Sequence, residues 1–415
     1  MPHSKNILIK NIKSLLGIMT EPYLFKKGKA MSFIDSIENA WLLIIEGQIK
    51  DFGDMSTAPL TFEGQTIDAT NQLVMPAWCD SHTHLVFATS REKEFVMRIK
   101  GKSYEEIAKE GGGILNSARK LHNVSEDELY ASAKKRLDKV IKMGTGAIEI
   151  KSGYGLSYKS ELKMLRVINR LKANSDATIK STFLGAHAIP LEFKRDRSLY
   201  IELITNKLLP KIGSEKLADY CDVFCEKGFF TNDETDLILK AAAKFNLKPK
   251  IHANQLSNSG AVQVGIANNA VSVDHLEEIA DAEIVALKNS KTIPTLLPSC
   301  SFFLGIPFGP ARKMIDAGLG VCLASDYNPG STPSGNIPFV MSLSCIKMKL
   351  LPEEAFNAVT INGAHAMELE NDLGSITKRK LANIIITNEM ENLSYIPYSF
   401  GESHIDKVIL NGKIQ

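Results

Sequence analysis

Short apolar runs alternate with polar, helix-like stretches through the middle of the chain. Between about residues 75 and 370, eight such runs have the length and composition of buried strands, and a stretch of helical periodicity follows each one. They are Val74–Cys79, Gly146–Ile150, Thr178–Phe183, Cys221–Cys225, Lys248–Ile251, Ala270–Val273, Ile293–Leu297 and Gly320–Ala324. Because consecutive parallel strands need right-handed helical crossovers, eight units in series predict an α/β fold of the (β/α)8 TIM-barrel type.

One of the intervening helices is marked at both ends. Ser125 and Glu128 have the spacing of a capping box, and Gly144 follows the last apolar position. Between them, an apolar residue recurs every three or four positions, which places these residues on one helical face. They are Leu129, Ala133, Leu137 and Val140. The pattern predicts an amphipathic helix against the barrel.

The two ends of the chain have a different pattern, made of short strands and tight turns. Glu46-Gly47 separates two strand-like runs near the start, and Asn411-Gly412 does the same near the end, which is typical of β-hairpins. The predicted strands are Trp41–Ile45, Gln48–Lys50, Gln65–Ile67, Leu73–Val74, Ala382–Thr387, Lys407–Leu410 and Lys413–Ile414. Since neither end carries enough apolar area to fold alone, we expect residues 1–74 and 371–415 to form one small β-sandwich domain, with the barrel, residues 75–370, inserted between them.

Composition narrows the class of protein. The chain has 415 residues and a net charge of +2, from 49 basic and 47 acidic residues, which gives no reason to expect nucleic acid or a membrane surface as a partner. No apolar run approaches the ~20 residues that span a bilayer, and the N-terminus lacks the apolar core of a signal peptide. The six cysteines form no CxxC pair and read as buried hydrophobes. We therefore expect a cytoplasmic protein without a nucleic-acid or membrane partner; a small-molecule substrate is implied only by the resemblance given below.

Histidines cluster at the predicted strand ends, where TIM barrels carry their active sites. Five of the nine histidines fall at these positions: His82, His84, His187, His252 and His275. The other four, His3, His122, His365 and His404, lie off the strand ends, and we interpret them as solvated or structural. The Gly111–Gly113 run reads as a loop over the barrel mouth, without the context of a phosphate loop.

The first strand carries a His-x-His pair. Because strand side chains alternate with period two, His82 and His84 point to the same face and can reach one ion. His252 and Asp326 follow the fifth and eighth strands, and a buried Asp beside histidines is costly unless a cation compensates it. Imidazole nitrogens with a carboxylate suit Zn²⁺ or Fe²⁺ rather than Mg²⁺ or Ca²⁺. These four residues are our candidate metal ligands.

Five segments carry a resemblance to a known family. PAWCDSHTHL, LGAHAIP, KIHANQLSNSGA, VSVDHLEE and LASDYNPGS occur in this order, and the similarity runs from about Gly47 to Leu381. The chain resembles the amidohydrolase superfamily and, within it, the imidazolonepropionase family. That resemblance implies hydrolysis of the cyclic amide of 4-imidazolone-5-propanoate to N-formimidoyl-L-glutamate in histidine degradation, with one Zn or Fe ion per chain and a homodimeric assembly.

The resemblance also implies roles for individual residues. It matches His82, His84, His252 and Asp326 with metal ligands, and His275 with Asp326 as the groups that move a proton. Arg91 matches the residue that binds the propionate carboxylate, for which a guanidinium fork is well suited. The further substrate-binding candidates are Tyr154, His187, Gln255, Asn328, Gly330 and Ser331.

Two other functions remain as alternatives. An aminohydrolase acting on purines or pyrimidines would need a carboxylic acid shortly after His252, where this chain has Asn254 and Gln255. A metal-free binding protein on the same barrel would be expected to have lost ligands, and all four candidates are present. Lys151 and Lys227 follow strands two and four, where a modified lysine could bridge two metal ions; we favour a structural role for both.

Overall fold

The structure is a computed structural model that describes residues 6–19, 24–102, 106–107 and 112–415. His3 and Gly111, which the sequence analysis considered, lie outside these residues. The described chain forms two eight-stranded sheets. In the part of the chain described, no helix is long and apolar enough to cross a membrane. All six cysteines are free thiols, and five of them are buried.

Strands from both chain ends build the first sheet. Its members are β1 (Ile7–Leu16), β2 (Ser36–Ile45), β3 (Gln48–Asp54), β4 (Gln65–Asp68), β5 (Gln72–Pro76), β14 (Ile384–Glu389), β15 (Ile405–Leu410) and β16 (Lys413–Ile414). The strand order is β16-β15-β14-β5-β1-β2-β3, and β4 pairs with β1. The turns at Glu46-Gly47 and Asn411-Gly412 take positive φ angles, as β-hairpin turns require. This sheet fits the predicted β-sandwich domain, and its buried face is almost entirely aliphatic.

The second sheet contains the eight parallel strands of the barrel. They are β6 (Trp78–Thr83), β7 (Thr145–Lys151), β8 (Thr178–Ala186), β9 (Tyr220–Cys225), β10 (Lys248–Ala253), β11 (Ser272–His275), β12 (Ile293–Leu296) and β13 (Cys322–Leu323), in that spatial order. Two backbone hydrogen bonds join the first strand to the segment after the last one. Asp326 N donates to the His82 carbonyl at 3.0 Å, and His84 N donates to the Tyr327 carbonyl at 2.8 Å. The predicted TIM-type barrel is therefore confirmed.

The predicted first barrel strand, Val74–Cys79, is wrong in its bounds. Residues up to Pro76 pair with β14 in the terminal sheet, and the barrel strand begins at Trp78. At the crossing point Ala77 N donates to Asn383, whereas Trp78 N donates to Gly144 in the barrel. The chain stays extended throughout, so the apolar run continues while its partner changes. Apolar periodicity reports burial and not the sheet in which a strand is buried.

Helices cover the crossovers between barrel strands, and four of the described helices follow the last barrel strand. Their bounds are α1 (Glu92–Ile99), α2 (Gly113–His122), α3 (Glu126–Lys142), α4 (Tyr158–Ala173), α5 (Arg197–Leu203), α6 (Leu209–Glu215), α7 (Asn232–Ala243), α8 (Ala261–Ala267), α9 (Asp281–Lys288), α10 (Pro298–Leu304), α11 (Ala311–Asp316), α12 (Ile337–Met348), α13 (Pro352–Val359), α14 (Ile361–His365) and α15 (Tyr395–Tyr398). The predicted capping box is present at α3, where Ser125 and Glu128 bond each other's backbone. The predicted apolar face of α3 is buried, and Gly144 beyond it has φ +94°.

Candidate active site

The carboxyl ends of the barrel strands frame a cavity of about 560 Å³. All the site residues named from the sequence line it except His82, which lies fully buried at its floor. The cavity lining therefore includes His84, Arg91, Tyr154, His187, His252, Gln255, His275, Asp326, Asn328, Gly330 and Ser331. Two further cations, Arg98 and Lys102, line it as well and were not singled out from the sequence. Three cationic side chains in one cavity suit an anionic ligand.

The four candidate metal ligands converge on one point. The ligand nitrogens of His82, His84 and His252 lie within 4.8 Å of one another. The His84 and His252 Nε2 atoms are 3.4 Å apart, and Asp326 Oδ1 lies 3.6 Å from His84 Nε2 and 3.7 Å from His82 Nε2. A tetrahedral ion with bonds of about 2.1 Å holds its ligand atoms about 3.4 Å apart. The observed spacings match that arrangement.

The protonation of these imidazoles also fits a bound cation. Burial lowers the pKa of both His82 and His84, so each ring is neutral and offers a lone pair. His82 Nε2 has no hydrogen-bond partner among the described residues, although it is completely buried. Burial raises the pKa of the Asp326 carboxyl, which a nearby cation would counteract. The residues present therefore fit a divalent ion, as the sequence predicted.

Two buried aspartates orient the candidate ligands from behind. Asp274 Oδ2 lies 2.6 Å from His82 Nδ1, and Asp222 Oδ2 lies 3.0 Å from His252 Nδ1. A carboxylate at Nδ1 fixes the tautomer that leaves Nε2 available to a metal. Neither aspartate was identified from the sequence, although Asp274 immediately precedes His275 and Asp222 lies within the fourth predicted barrel strand.

Lys151 connects these aspartates below the site. Its Nζ lies 2.6 Å from Glu149 Oε1, 2.8 Å from Asp222 Oδ2 and 3.5 Å from Asp274 Oδ2, and all four side chains are fully buried. Burial alone would lower the pKa of Lys151, but the carboxylates outweigh it and raise the pKa. Lys250 bonds the other oxygen of Glu149. Lys151 is thus an ammonium held by carboxylates, which supports the structural role that we favoured for it; Lys227 is exposed.

Backbone strain shapes the strand ends that carry the site. Asp326 has φ +54° and His275 has φ +86°, in the left-handed region that non-glycine residues seldom adopt. Such conformations cost about 1–3 kcal/mol each and concentrate at functional sites.

Glu277 lies beside the imidazole of His275. His275 Nδ1 lies 3.6 Å from Glu277 Oε1. Burial alone would lower the pKa of His275, but Glu277 outweighs it and the pKa is raised.

A carboxylate missed by the sequence analysis holds Arg91 at the cavity wall. Arg91 Nε and Nη2 donate to Glu94 Oε2 at 2.9 and 2.5 Å, and Glu94 Oε1 accepts the Gly113 N–H. A Cβ at Gly330 would lie 2.2 Å from Arg91 Nη1, so only glycine permits this approach. The i,i+3 spacing of Arg91 and Glu94 at the start of α1 is the one sequence signal that could have revealed the pair.

Residues 152–155, with the sequence SGYG, follow β7 and form one side of the cavity. His187 Nδ1 lies 3.0 Å from the Gly153 carbonyl and donates to it, which leaves Nε2 as an acceptor. Burial lowers the pKa of His187 to about 3, so the ring is neutral. The Tyr154 ring lies 5.4 Å from that of His187. Glu161 Oε1 accepts the N–H groups of Gly155 and Leu156 at 2.7 and 2.8 Å and so fixes the segment.

The two amides after β10 point in different directions. Asn254 donates to both oxygens of Glu283, at 3.0 and 2.9 Å, and is fully buried outside the cavity. Gln255 lines the cavity, with Nε2 3.5 Å from Cys300 Sγ. The amide at position 254 therefore satisfies a buried carboxylate and does not face a ligand.

Asn328 organises the loop after β13. Its Oδ1 accepts the N–H groups of Gly330 and Ser331 at 2.7 and 2.8 Å, and its Nδ2 donates to the Asp326 carbonyl and to Ser331 Oγ, both at 2.7 Å. Ser331 Oγ also lies 3.2 Å from Asp326 Oδ2. Because both lone pairs and both protons of the amide are used, Asn328 acts on the cavity through the loop it holds.

Solved structures share this architecture at low sequence identity. Guanine deaminase from E. coli superimposes with a TM-score of 0.74 at 13% identity, covering 99% of this chain and 98% of that one. 5-Methylcytosine deaminase from Klebsiella pneumoniae gives a TM-score of 0.73 at 17% identity, covering 98% and 96%. At such identities the likeness concerns the fold alone.

Sequence relatives are much closer. A profile described as "Amidohydrolase family" matches residues 73–415. The imidazolonepropionase of Christiangramia forsetii is 55% identical over 98% of this chain and 99% of its own length. That of Flavobacterium johnsoniae is 53% identical over the same shares, and that of Thermoanaerobacter pseudethanolicus is 42% identical over 97% and 96%. The chain belongs to the imidazolonepropionase family of the amidohydrolases.

Proposed function

We propose that this chain hydrolyses the cyclic amide of 4-imidazolone-5-propanoate to N-formimidoyl-L-glutamate in histidine degradation. The observation that carries the proposal is full-length identity of 53–55% with imidazolonepropionases of two organisms. The cavity supports it, since a cationic wall with Arg91 and a floor of His and Asp side chains suit a small anionic substrate with a hydrolysable ring.

His82, His84, His252 and Asp326 would hold one Zn or Fe ion. The burial of all three imidazoles, the lowered pKa of His82 and His84, and the near-tetrahedral spacings support this assignment. When bound, a divalent ion acidifies water and polarises a carbonyl, which is the chemistry that amide hydrolysis needs.

The protein side chains then bind the substrate and move the proton. We assign to Arg91 the propionate carboxylate, and to Tyr154, His187 and Gln255 contacts with the ring. The loop held by Asn328, with Gly330 and Ser331, closes the same side of the cavity. Asp326 and His275 Nε2 take the proton from the attacking water and return it to the departing ring nitrogen. Glu277 on the Nδ1 side of His275 favours the tautomer that this role requires.

Deamination receives no support from the site. It requires a carboxylic acid that protonates the ring beside the fifth-strand histidine. Here Gln255 is an amide, and the Asn254 amide is committed to Glu283. Neither group can supply the proton.

The test combines metal analysis with two activity assays. Purified protein should contain about one transition-metal ion per chain, because four ligand-type residues surround one point. It should open 4-imidazolone-5-propanoate and release no ammonia from guanine, adenine or cytosine. Two tightly bound ions, or none after expression with added metal, would contradict the metal assignment. Rapid ammonia release from a nucleobase would overturn the substrate assignment.

We further propose a cytoplasmic homodimer with domain bounds at residues 74 and 370. The family resemblance supports the dimer, and the sheet membership of β5 and β14 supports a division near these bounds. Sedimentation of the purified chain and limited proteolysis test the two points separately.

A further inference from the structure

A second group of ligand-type side chains lies beside the cluster just described. His275, Glu277 and Cys300 place one ligand atom each within 4.8 Å of the other two. All three side chains are buried. His275 is a proposed proton carrier, while Glu277 and Cys300 have no place among the ligands or substrate contacts assigned above. Sulfur, imidazole nitrogen and carboxylate together are a ligand set for zinc or cadmium rather than for a hard cation.

Two atoms of this group lack partners. Among the described residues, neither His275 Nδ1 nor Glu277 Oε2 has a hydrogen-bond partner, although both atoms are buried. His275 Nδ1 and Glu277 Oε1 face each other at 3.6 Å, which is too long for a hydrogen bond. Two ligand atoms on a tetrahedral zinc ion lie about 3.4 Å apart. The distance between His275 Nδ1 and Glu277 Oε1 is therefore too long for a hydrogen bond between them, but it is close to the spacing of two ligand atoms on one zinc ion.

The group is held in place and borders the cavity. Ser301 Oγ donates to Glu277 Oε1 at 3.0 Å, which leaves Oε2 available. Cys300 Sγ lies 3.5 Å from the Nε2 of Gln255, so the sulfur is next to a side chain that lines the cavity. The His275 ring centroid lies 5.2 Å from that of His252 and 5.6 Å from that of His82. An ion here would sit next to the first cluster without sharing its histidines.

We propose that His275, Glu277 and Cys300 form a second, inhibitory site for a thiophilic divalent cation such as Zn²⁺ or Cd²⁺. The ion binds His275 Nδ1, a Glu277 oxygen and Cys300 Sγ, and the thiol proton passes to solvent. A neutral imidazole bound through Nδ1 keeps its proton on Nε2, so it cannot accept another. Hydrolysis stops for that reason. The inhibition rests on the proposed role of His275 in the reaction, whereas the binding does not.

Cadmium binding tests the site directly. The protein, first loaded with one equivalent of Zn²⁺, is titrated with Cd²⁺ while the ultraviolet charge-transfer band of a thiolate–cadmium bond is recorded. No cysteine belongs to the first cluster, so the band reports a sulfur ligand elsewhere. Wild type and the control Cys345→Ser, which alters a half-buried cysteine, should show the band at one equivalent. Cys300→Ser should not. A band of equal size in Cys300→Ser, or none in wild type, would overturn the proposal.

A second variant distinguishes the loss of a metal ligand from the loss of the folded structure. Glu277→Gln keeps the thiol and should weaken cadmium binding by about 10–100-fold. Mutating a residue that only hydrogen-bonds a metal ligand already lowers metal affinity by that factor, so losing a ligand should cost at least as much. Unchanged cadmium affinity in Glu277→Gln would exclude Glu277 as a ligand and contradict the site as defined. Melting curves of each variant establish that the fold persists.

The inhibition is measured on the hydrolysis of 4-imidazolone-5-propanoate. Excess Zn²⁺ should inhibit wild type, and Cys300→Ser should keep basal activity and need about 10–100-fold more Zn²⁺ for the same inhibition. Equal inhibition of both proteins would overturn the inhibitory role. If the protein lacks this hydrolase activity, the proposed function fails, and the cadmium titration still decides whether the second site exists.

Discussion

Recognition of charge in the cavity depends on how firmly Arg91 is held. Its Nε and Nη2 share one oxygen of Glu94, and the backbone of Gly330 lies close to Nη1. A guanidinium held along one edge keeps a fixed plane, and a fixed plane favours a planar carboxylate over other anions. If Arg91 binds the propionate carboxylate as proposed, Glu94 contributes to binding through Arg91 without facing the substrate itself.

Arg91→Lys separates this geometry from charge alone. Lysine keeps the positive charge but loses the fork, so we expect KM for 4-imidazolone-5-propanoate to rise by about tenfold, with a smaller change in kcat. Steady-state kinetics of both proteins measure the difference. An analogue with a neutral amide in place of the propionate carboxylate is the matched control, on which the two enzymes should perform alike. If KM for the natural substrate is unchanged, the carboxylate binds elsewhere.

Gln255 distinguishes ring-amide hydrolysis from deamination at the level of one side chain. On the proposed mechanism it orients the ring and never titrates, because Asp326 and His275 carry the proton. Gln255→Glu should therefore keep measurable hydrolase activity, while Gln255→Ala should lose about 1–3 kcal/mol of transition-state stabilisation from the missing hydrogen bond. Comparing kcat/KM for the two variants tests this. Equal losses in both would argue for an essential neutral amide.

The candidate metal ligands were predictable from the sequence, and the carboxylates behind them were not. His82 and His84 follow from the two-residue period of a strand, and His252 and Asp326 from their positions at strand ends. Asp222 and Asp274 lie on strands as well, but a carboxylate reveals its role only through the imidazole it touches. That contact joins residues far apart in sequence. Strand position alone therefore cannot identify it.

At the scale of elements, three alternate strands of the barrel build the support under the site. β7 supplies Glu149 and Lys151, β9 supplies Asp222, and β11 supplies Asp274. Buried charges of this kind stabilise little by themselves, since their desolvation offsets their attraction, but breaking one pair leaves an uncompensated charge. The network fits a role in orientation: it fixes two carboxylates, and each carboxylate fixes one imidazole.

Asp274→Asn tests this support. The amide has nearly the same shape but loses the charge that holds the His82 tautomer, so we expect metal affinity to fall about 10–100-fold while the fold persists. Competition with a chromophoric chelator measures the affinity. Glu283→Gln is the control, because Glu283 is equally buried in the barrel and contacts Asn254 rather than a candidate ligand. Matching losses in both variants would indicate general destabilisation.

The elements themselves were largely predictable, apart from β1, which none of the predicted strands covers, and the passage between the two sheets. Strands β7 to β13 and both terminal hairpins lie where apolar runs and turn residues indicate. The run that starts at Val74 failed because it serves two sheets, and Pro76 is the last residue of the first. A partner change inside a continuous buried strand leaves no trace in hydrophobicity. Only the pairing of Ala77 with Asn383 and of Trp78 with Gly144 reveals it.

At the scale of the whole molecule, the candidate metal ligands lie where the barrel closes. The hydrogen bonds between His82 and Asp326 and between His84 and Tyr327 join the first strand to the segment after the last. We call this junction between the first strand and the segment after the last the seam. Asp80 adds to the seam by accepting hydrogen bonds from the Ser325 N–H and hydroxyl at 3.0 and 2.6 Å. β13 is only two residues long, so few ladder hydrogen bonds hold this side. An ion bound by His82, His84, His252 and Asp326 would hold the two sides of the seam together.

Metal removal should therefore lower the stability of the entire barrel. A ligand that binds only the folded state stabilises it by about 4 kcal/mol at a thousandfold excess over its Kd. We expect chelation to lower the melting temperature of wild type, and added Zn²⁺ to restore it.

Asp326→Ala should abolish turnover and retain little metal but still fold, because the packed barrel interior below the site carries most of the stability. Its melting temperature should respond little to chelator. Differential scanning calorimetry of both proteins, with and without chelator, makes the comparison. An equal response of the two would show that the stabilising ion binds elsewhere. No response in wild type would show that the seam is stable without an ion, and that the ligands serve chemistry alone.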